Sequence, residues 1–241
     1  MFLKADNLSY TYPGGVRALQ GLDWQARRGE RWAVVGPNGA GKSTILLLLA
    51  GLIGPEGREG SVRWYREGKP LSRSPRIGYL FQNPDDQLIG TTVEDDVGFS
   101  LLKKGVKRES ARQLVSAALK EVNLEGYQTR SSFQLSFGQK KRLGLAGLLV
   151  DQPEVLFLDE PSLGLDYRER EELLKILLKR DQALFFASMD LELVARLADG
   201  VLLLDEGKIV DQGPPDSIFQ KRELLFRHGL IPPKNEESRK N

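Results

Sequence analysis

The sequence predicts an α/β fold with a parallel sheet covered by helices on both faces, and three observations predict it. Short, fully apolar runs such as Val155-Leu156-Phe157-Leu158 read as strands buried on both faces. Segments of helical periodicity separate these runs, and alternation of strand and helix implies parallel strands with crossover helices. A glycine-rich loop, Gly36–Thr44, lies between a strand candidate and a helix candidate.

Taken in chain order, Leu8–Tyr12 alternates and ends at the turn Pro13-Gly14-Gly15. The first ~65 residues read as short strands and turns. Arg31–Val35 is an apolar strand, and Lys42–Ala50 a helix stopped by Gly51 and Gly54-Pro55. Ile77–Phe81 is a further strand. From Thr91 to Leu149 the pattern is helical, with Ala111, Leu114, Val115, Ala118, Leu119 and Val122 forming an amphipathic stripe. This block is predicted as a helical insert between two halves of the α/β core. Strand Val155–Leu158, a helix over Arg168–Lys179, and strands Leu184–Ala187 and Val201–Leu204 complete the pattern. The tail from Pro232 is polar and charged and is expected to fray.

Composition narrows the function classes. The 241 residues carry 35 Lys+Arg against 33 Asp+Glu, a net charge of +2, so bulk charge argues for no nucleic-acid partner. With 40% hydrophobic and 28% charged residues the chain reads as ordinary globular. It contains no Cys, which excludes disulfides, iron–sulfur sites and thiol nucleophiles. A single His, His228, excludes multi-histidine metal sites. The longest apolar run, Ile45–Ala50 extended to Ile53, falls short of the ~20 residues that span a bilayer. The start, Met1–Asp6, lacks the basic-then-apolar pattern of a secretory signal, so a cytoplasmic location is expected.

Gly36-Pro37-Asn38-Gly39-Ala40-Gly41-Lys42-Ser43-Thr44 fits G-x-x-x-x-G-K-[ST] in the strand–loop–helix context that motif needs. Glycines let backbone N–H groups surround phosphate oxygens, and the helix N-terminus adds a positive dipole end. Lys42 is placed to reach the β- and γ-phosphates and Ser43 to ligate Mg²⁺. The strand Val155–Leu158 delivers Asp159 and Glu160 to the crevice where open α/β sheets bind ligands. Asp159 suits a second Mg²⁺ contact and Glu160 suits polarisation of an attacking water. Alone, the two acids would read as charges leaving the core. Leu135-Ser136-Phe137-Gly138-Gln139 opens a helix, and Ser136 with Gln139 forms a capping-box pattern, compatible with an anion site at the same N-terminus.

With these motifs in this order, the chain over nearly its whole length resembles the ATP-binding cassette ATPases, the motor subunits of ABC transporters. The resemblance implies a P-loop NTPase (RecA-like) α/β core with an N-terminal antiparallel β subdomain and a helical insert. It implies one domain over 1–241: core and β subdomain at 1–82 and 150–215, helical subdomain with signature at 83–149, C-terminal extension at 216–241. It assigns Tyr12 to adenine stacking, Gln82 to Mg²⁺ contact and partner sensing, and Ser136, Phe137, Gly138 and Gln139 to the signature that meets a partner subunit's ATP. Asp159 becomes the metal-binding acid, Glu160 the catalytic one, and Ser162–Asp166 the loop crossing the dimer interface. The string Phe81-Gln82-Asn83-Pro84-Asp85-Asp86-Gln87-Leu88, then Gly90–Val97, with Gln139-Lys140-Lys141-Arg142, resembles the energy-coupling-factor group. That group powers uptake of vitamins and of cobalt or nickel ions; by itself, Asp85-Asp86 reads as a solvated turn.

The implied function is an ATP-hydrolysing subunit of such an importer, with ATP and Mg²⁺ as ligands. Its implied partners are membrane-embedded subunits and a second ATPase subunit, a paralogue or a second copy, in a head-to-tail dimer on the cytoplasmic face of the membrane. Leu88, Ile89 and Phe99 are expected to be exposed for the membrane partner. Two departures stand out. Phe137 replaces the usual signature glycine, putting a bulky side chain where backbone should approach a phosphate. Met189, in Ser188-Met189-Asp190, replaces a histidine that hydrogen-bonds the γ-phosphate, so hydrolysis at this site is expected to be impaired; its other reading is apolar packing at a strand end. A non-transport ABC-type ATPase associated with nucleic acid or ribosomes, and a P-loop kinase, are the competing classes. The first usually carries a coiled coil or a second cassette, and the second has no use for Leu-Ser-x-Gly-Gln before an Asp-Glu strand end.

Overall fold

The computed structural model describes residues 2–233, and its spine is a six-stranded sheet. In chain order the elements are β1 (Leu3–Thr11), β2 (Arg17–Ala26), β3 (Arg31–Val35), α1 (Lys42–Ala50), β4 (Arg58–Arg66), β5 (Lys69–Pro70) and β6 (Ile77–Leu80). Helices α2 (Val93–Lys103), α3 (Arg108–Glu121) and α4 (Phe137–Leu149) follow. Then come β7 (Val155–Asp159), α5 (Tyr167–Leu178), β8 (Ala183–Ala187), α6 (Leu191–Leu197), β9 (Gly200–Asp205), β10 (Lys208–Gly213), α7 (Pro215–Phe219) and α8 (Arg222–Arg227). The spine has the order β10-β9-β3-β8-β7-β6, parallel throughout except for the β10–β9 hairpin. A second sheet, β2-β1-β4-β5, is antiparallel. Residues 234–241 of the expected 216–241 extension lie outside the described residues.

Strand periodicity of two builds two cores from one sheet. Leu156, Leu158, Leu184, Phe186, Val201 and Leu203 point to the face covered by the helices α2 to α6. Their neighbours Phe157, Phe185, Leu202 and Leu204 point to the other face. There α1 contributes Ile45, Leu46, Leu48 and Leu49, and the antiparallel sheet contributes Leu3, Leu8, Leu19, Leu22, Trp24 and Trp64. Aromatic rings lock the two sheets: Phe157 stacks on Phe185 at 5.1 Å and Trp64 meets both edge-on.

The helical block is broken more often than the sequence suggested. Helices α2, α3 and α4 are separated by a short link at 104–107 and a longer irregular segment over 122–136 that contains one 3₁₀ turn, Ser132–Gln134. Within the amphipathic stripe, Ala111, Val115, Ala118, Leu119 and Val122 are buried, but Leu114 is 39% exposed. It sits on the margin of the stripe. β1 is longer than the predicted Leu8–Tyr12, because antiparallel partners on both edges extend its ladder back to Leu3.

Candidate nucleotide site

Four adjacent parallel strands deliver the site. β3 runs into Gly36–Gly41 and α1, β7 into Asp159 and Glu160, β8 into Ser188 and Met189, and β6 towards Gln82, all at the C-terminal edge of one sheet. They converge on a cleft of about 530 Å³ lined by Tyr12, Asn38, Gly39, Gly41, Lys42, Ser43, Thr44, Gln82, Glu160 and Met189. Val16, Arg17, Ala18 and Leu163 complete its wall. No sequence motif marks Val16, Arg17 and Ala18, which the β1–β2 turn brings there; Leu163 belongs to the Ser162–Asp166 loop, whose place on the cleft wall its dimer-interface reading did not include.

The loop's glycines have separate reasons. A Cβ at Gly36 would lie 2.0 Å from the Leu204 carbonyl oxygen, so the backbone passes too close to β9 for any side chain. Gly41 has φ +102, a left-handed conformation, and starts α1 with no side-chain cap, leaving that helix's N–H groups facing the cleft. Lys42 is buried; its Nζ donates to the carbonyls of Gly36 at 2.9 Å and Pro37 at 3.1 Å and lies 3.7 Å from Glu160 Oε1. The hydroxyls of Tyr12 and Thr44 are hydrogen-bonded at 3.1 Å, and the Tyr10 ring meets Tyr12 edge-on at 4.9 Å, fixing Tyr12 over the end of the loop.

Glu160 is the most constrained acid. It adopts φ +45, in the left-handed region. Its N–H donates to Ala187 O at 3.0 Å, and its carboxylate Oε2 accepts the backbone N–H of Met189 at 3.1 Å. Asp159 lies behind it, 6% exposed, and its buried Oδ1 has no hydrogen-bond partner among the described residues. Burial pushes its carboxyl above the usual range, opposed by the Ser43 hydroxyl, the Lys42 ammonium and the Tyr79 hydroxyl. In turn, burial pushes the Tyr79 phenol up, reinforced by the Asp159 charge. Tyr79 is a second feature the sequence did not mark, since at a β6 position it reads as one more apolar side chain.

Met189 corrects an expectation: its side chain is 43% exposed and lines the cleft instead of packing into the core at the strand end. Only its backbone N–H engages Glu160.

Ser136, Phe137, Gly138 and Gln139 do not line this cleft. They start α4 with a complete capping box, Ser136 Oγ accepting the Gln139 N–H at 3.2 Å and Gln139 Oε1 accepting the Ser136 N–H at 2.9 Å. The Phe137 ring turns onto its own chain, against Gly164 and 5.4 Å from Lys141 Nζ. A Cβ at Gly138 would meet the Glu169 carboxylate at 2.3 Å, so any larger residue there must displace the Glu169 side chain. Ser162 is buried, and Asp166 caps α5 through a second capping box with Glu169.

The acidic string after Gln82 is a loop braced from both ends, although Asp85 and Asp86 themselves are exposed on a 3₁₀ turn as a solvated pair would be. Asp85 pairs with Lys140 on α4 at 2.7 Å, and Asp96 Oδ1 accepts the N–H groups of Ile89 at 2.7 Å and Gly90 at 2.6 Å. Ile89 and Phe99 are exposed as expected; Leu88 is not, being partly buried against the helical core. Among the described residues no group of three or more His, Cys, Asp or Glu is placed to hold a metal ion. No described helix is long and apolar enough to cross a membrane.

The sequence model of the family described as ABC transporter matches residues 19–163. The chain is 37% identical to the energy-coupling factor transporter ATP-binding protein EcfA of Methanothermobacter thermautotrophicus, covering 96% of this chain and 77% of that one. It is 39% identical to the cobalt import ATP-binding protein CbiO of Rhodobacter capsulatus, covering 96% and 85%. Its fold superposes on cbiO1 of Clostridium perfringens, part of the ABC transporter complex cbiONQ, with a TM-score of 0.79 at 34% identity, covering 94% of this chain and 93% of that one.

Proposed function

The chain belongs to the ABC transporter ATP-binding family, and from that membership we propose that it is the ATP-binding and ATP-hydrolysing subunit powering an energy-coupling-factor type membrane importer of a vitamin or transition-metal ion. The observation that carries this reading is the convergence of the Gly36–Thr44 loop, Tyr12, Gln82 and Glu160 on one cleft. The relatives named for energy coupling and cobalt import support the transport class.

In this reading Tyr12 stacks on adenine, and the N–H groups of the loop and of α1 receive the phosphates. Lys42 exchanges the Gly36 and Pro37 carbonyls for β- and γ-phosphate oxygens. The donor set fits Mg²⁺: an unpartnered buried carboxylate oxygen on Asp159, the neighbouring Ser43 hydroxyl and the Gln82 amide, with phosphate and water completing a hard oxygen shell. When bound, the ion neutralises charge on the β- and γ-phosphates. Glu160 accepts the proton of the attacking water, its carboxylate aimed by the Met189 N–H. With no imidazole at position 189, no side chain there hydrogen-bonds the γ-phosphate, and hydrolysis at this site is slowed.

Because Ser136–Gln139 stand apart from the cleft, a second subunit supplies that signature over the ATP of the first, in a head-to-tail dimer with a paralogue or a second copy. The loop with Ser162 and Asp166 lies between the two. Residues 83–149 act as the helical subdomain, and the Gln82–Phe99 region meets membrane-embedded subunits, with the chain peripheral on the cytoplasmic face. No nucleic acid is involved.

The test is a pair of variants. Lys42→Ala is expected to weaken calorimetric ATP binding severely, since a charge-assisted phosphate contact is lost. Glu160→Gln is expected to keep ATP binding, slow phosphate release and trap an ATP-bound dimer on size exclusion. Wild-type affinity in the first and wild-type turnover in the second would sink the assignment.

A further inference from the structure

Lys141, in the second turn of α4, is 0% exposed. A buried ammonium is costly unless paired, and a methionine or leucine of similar volume would fill the space without desolvating a charge. Among the described residues Lys141 makes no salt bridge. Its Nζ donates to the backbone carbonyl of Glu160 at 2.5 Å and lies over the Phe137 ring. Burial pushes its ammonium down to about 8, opposed by the charges of Glu160 and Asp159.

The receiving group is equally unusual. A non-glycine residue in the left-handed region persists only where its surroundings over-determine it. At Glu160 the pins on the backbone are three. Its N–H donates to Ala187 O on β8, and its carbonyl accepts the Leu163 N–H at 3.2 Å and Lys141 Nζ. Two of these come from the neighbouring strand and from Glu160's own turn. Only Lys141 reaches in from another layer, from the helix whose first residues are the signature.

We propose that Lys141 is a positioning residue for hydrolysis: held against the Glu160 carbonyl, it fixes the turn that aims the Glu160 carboxylate and ties that aim to the start of α4. Resting on the function proposed above, this makes one subunit a link between two ATP sites. Its signature reads the partner's ATP, its Glu160 acts on its own, and Lys141 bridges the two by a direct hydrogen bond to the Glu160 backbone.

The full-length chain tests this with Lys141→Met, Lys141→Gln and Glu160→Gln, measuring phosphate release, calorimetric ATP affinity and melting temperature. Lys141→Met is expected to lower kcat by about tenfold or more, the scale of a misplaced catalytic group, with KM and ATP affinity within about twofold. Lys141→Gln, which keeps a donor for the carbonyl, is expected to recover part of the loss at unchanged KM. In the Glu160→Gln background Lys141→Met should cost nothing further. Turnover lost in Glu160→Gln but kept in Lys141→Met overturns the proposal alone. Turnover kept in Glu160→Gln overturns the role of Glu160 and the proposal with it. A Lys141→Gln no better than Lys141→Met, with affinity and melting temperature falling alongside kcat, makes Lys141 a packing residue and also overturns it. Should Lys141→Met not fold, Lys141→Ala takes its place: wild-type kcat in it overturns the proposal, and a loss of about tenfold at unchanged KM supports it.

Discussion

Asp159 carries a carboxylate into the interior, where one of its oxygens has no partner and burial raises its pKa. A carboxyl whose folded pKa lies above its unfolded value binds protons more tightly in the native state. It therefore lowers stability at neutral pH, and that loss is relieved as pH falls through the folded value. Asp159→Asn is expected to raise the melting temperature without nucleotide at pH 7.5, with a gain that shrinks towards acid pH, while weakening Mg²⁺-dependent ATP binding. A melting temperature that falls instead would mean that Ser43 and Lys42 outweigh burial. Met189 poses the complementary case. Its backbone already orients Glu160, and its exposed side chain is free to change. Met189→His is expected to raise the hydrolysis rate with little change in ATP affinity, because it adds a donor aimed at the reacting phosphate. Single-turnover kinetics showing no gain would mean that another group already serves the γ-phosphate.

Under the proposed function, the elements placed to couple the cleft to a membrane partner are α4 and the braced segment after Gln82. Asp85 ties that segment to α4 through Lys140, and Asp96 gathers the N–H groups of Ile89 and Gly90. The loop thus holds its shape while presenting Ile89, 62% exposed, and α2 presents Phe99, 49% exposed. Ile89→Asp together with Phe99→Asp is expected to block assembly with the membrane subunits and leave ATP affinity unchanged, since neither side chain lines the nucleotide cleft. Pull-down of an intact complex by the double variant would place the docking surface elsewhere. The string Asn83–Val97 was readable as a unit in the sequence. That its acids brace a loop was not, because the partners Lys140 and the Ile89 and Gly90 amides are selected by the packing of α2 against α4.

Across the described residues, one sheet separates two cores, and the proposed nucleotide site lies where the strands between them end. Phe157 stands at the join, stacked on Phe185 and flanked by Tyr79 and Trp64. Phe157→Ala is expected to cost about 3–5 kcal/mol, the range for emptying a buried aromatic position. It should also loosen the antiparallel sheet that carries Tyr12, so urea denaturation should show lost stability and calorimetry a weaker ATP site. A loss near 1 kcal/mol would mean that the interior collapses around the gap.

Strand and helix order, the phosphate loop, the acidic strand end and both halves of the signature cap were written locally in apolar runs, glycines and short-range capping residues. The sequence by itself determined these, since each depends on neighbours a few positions away. The exposed positions of β4 and β10 hid those strands from a reading based on apolar runs, and only pairing with β1 and β9 decided them. The tertiary structure alone decided that Leu114 faces outward, that Tyr79 approaches Asp159, and that of three basic residues in a row Lys141 and Arg142 are driven inside, Lys141 onto the Glu160 carbonyl. A side chain's burial and its distant hydrogen-bond partner are set by which layers pack together, and no spacing along the chain encodes a contact between the second turn of α4 and the end of β7.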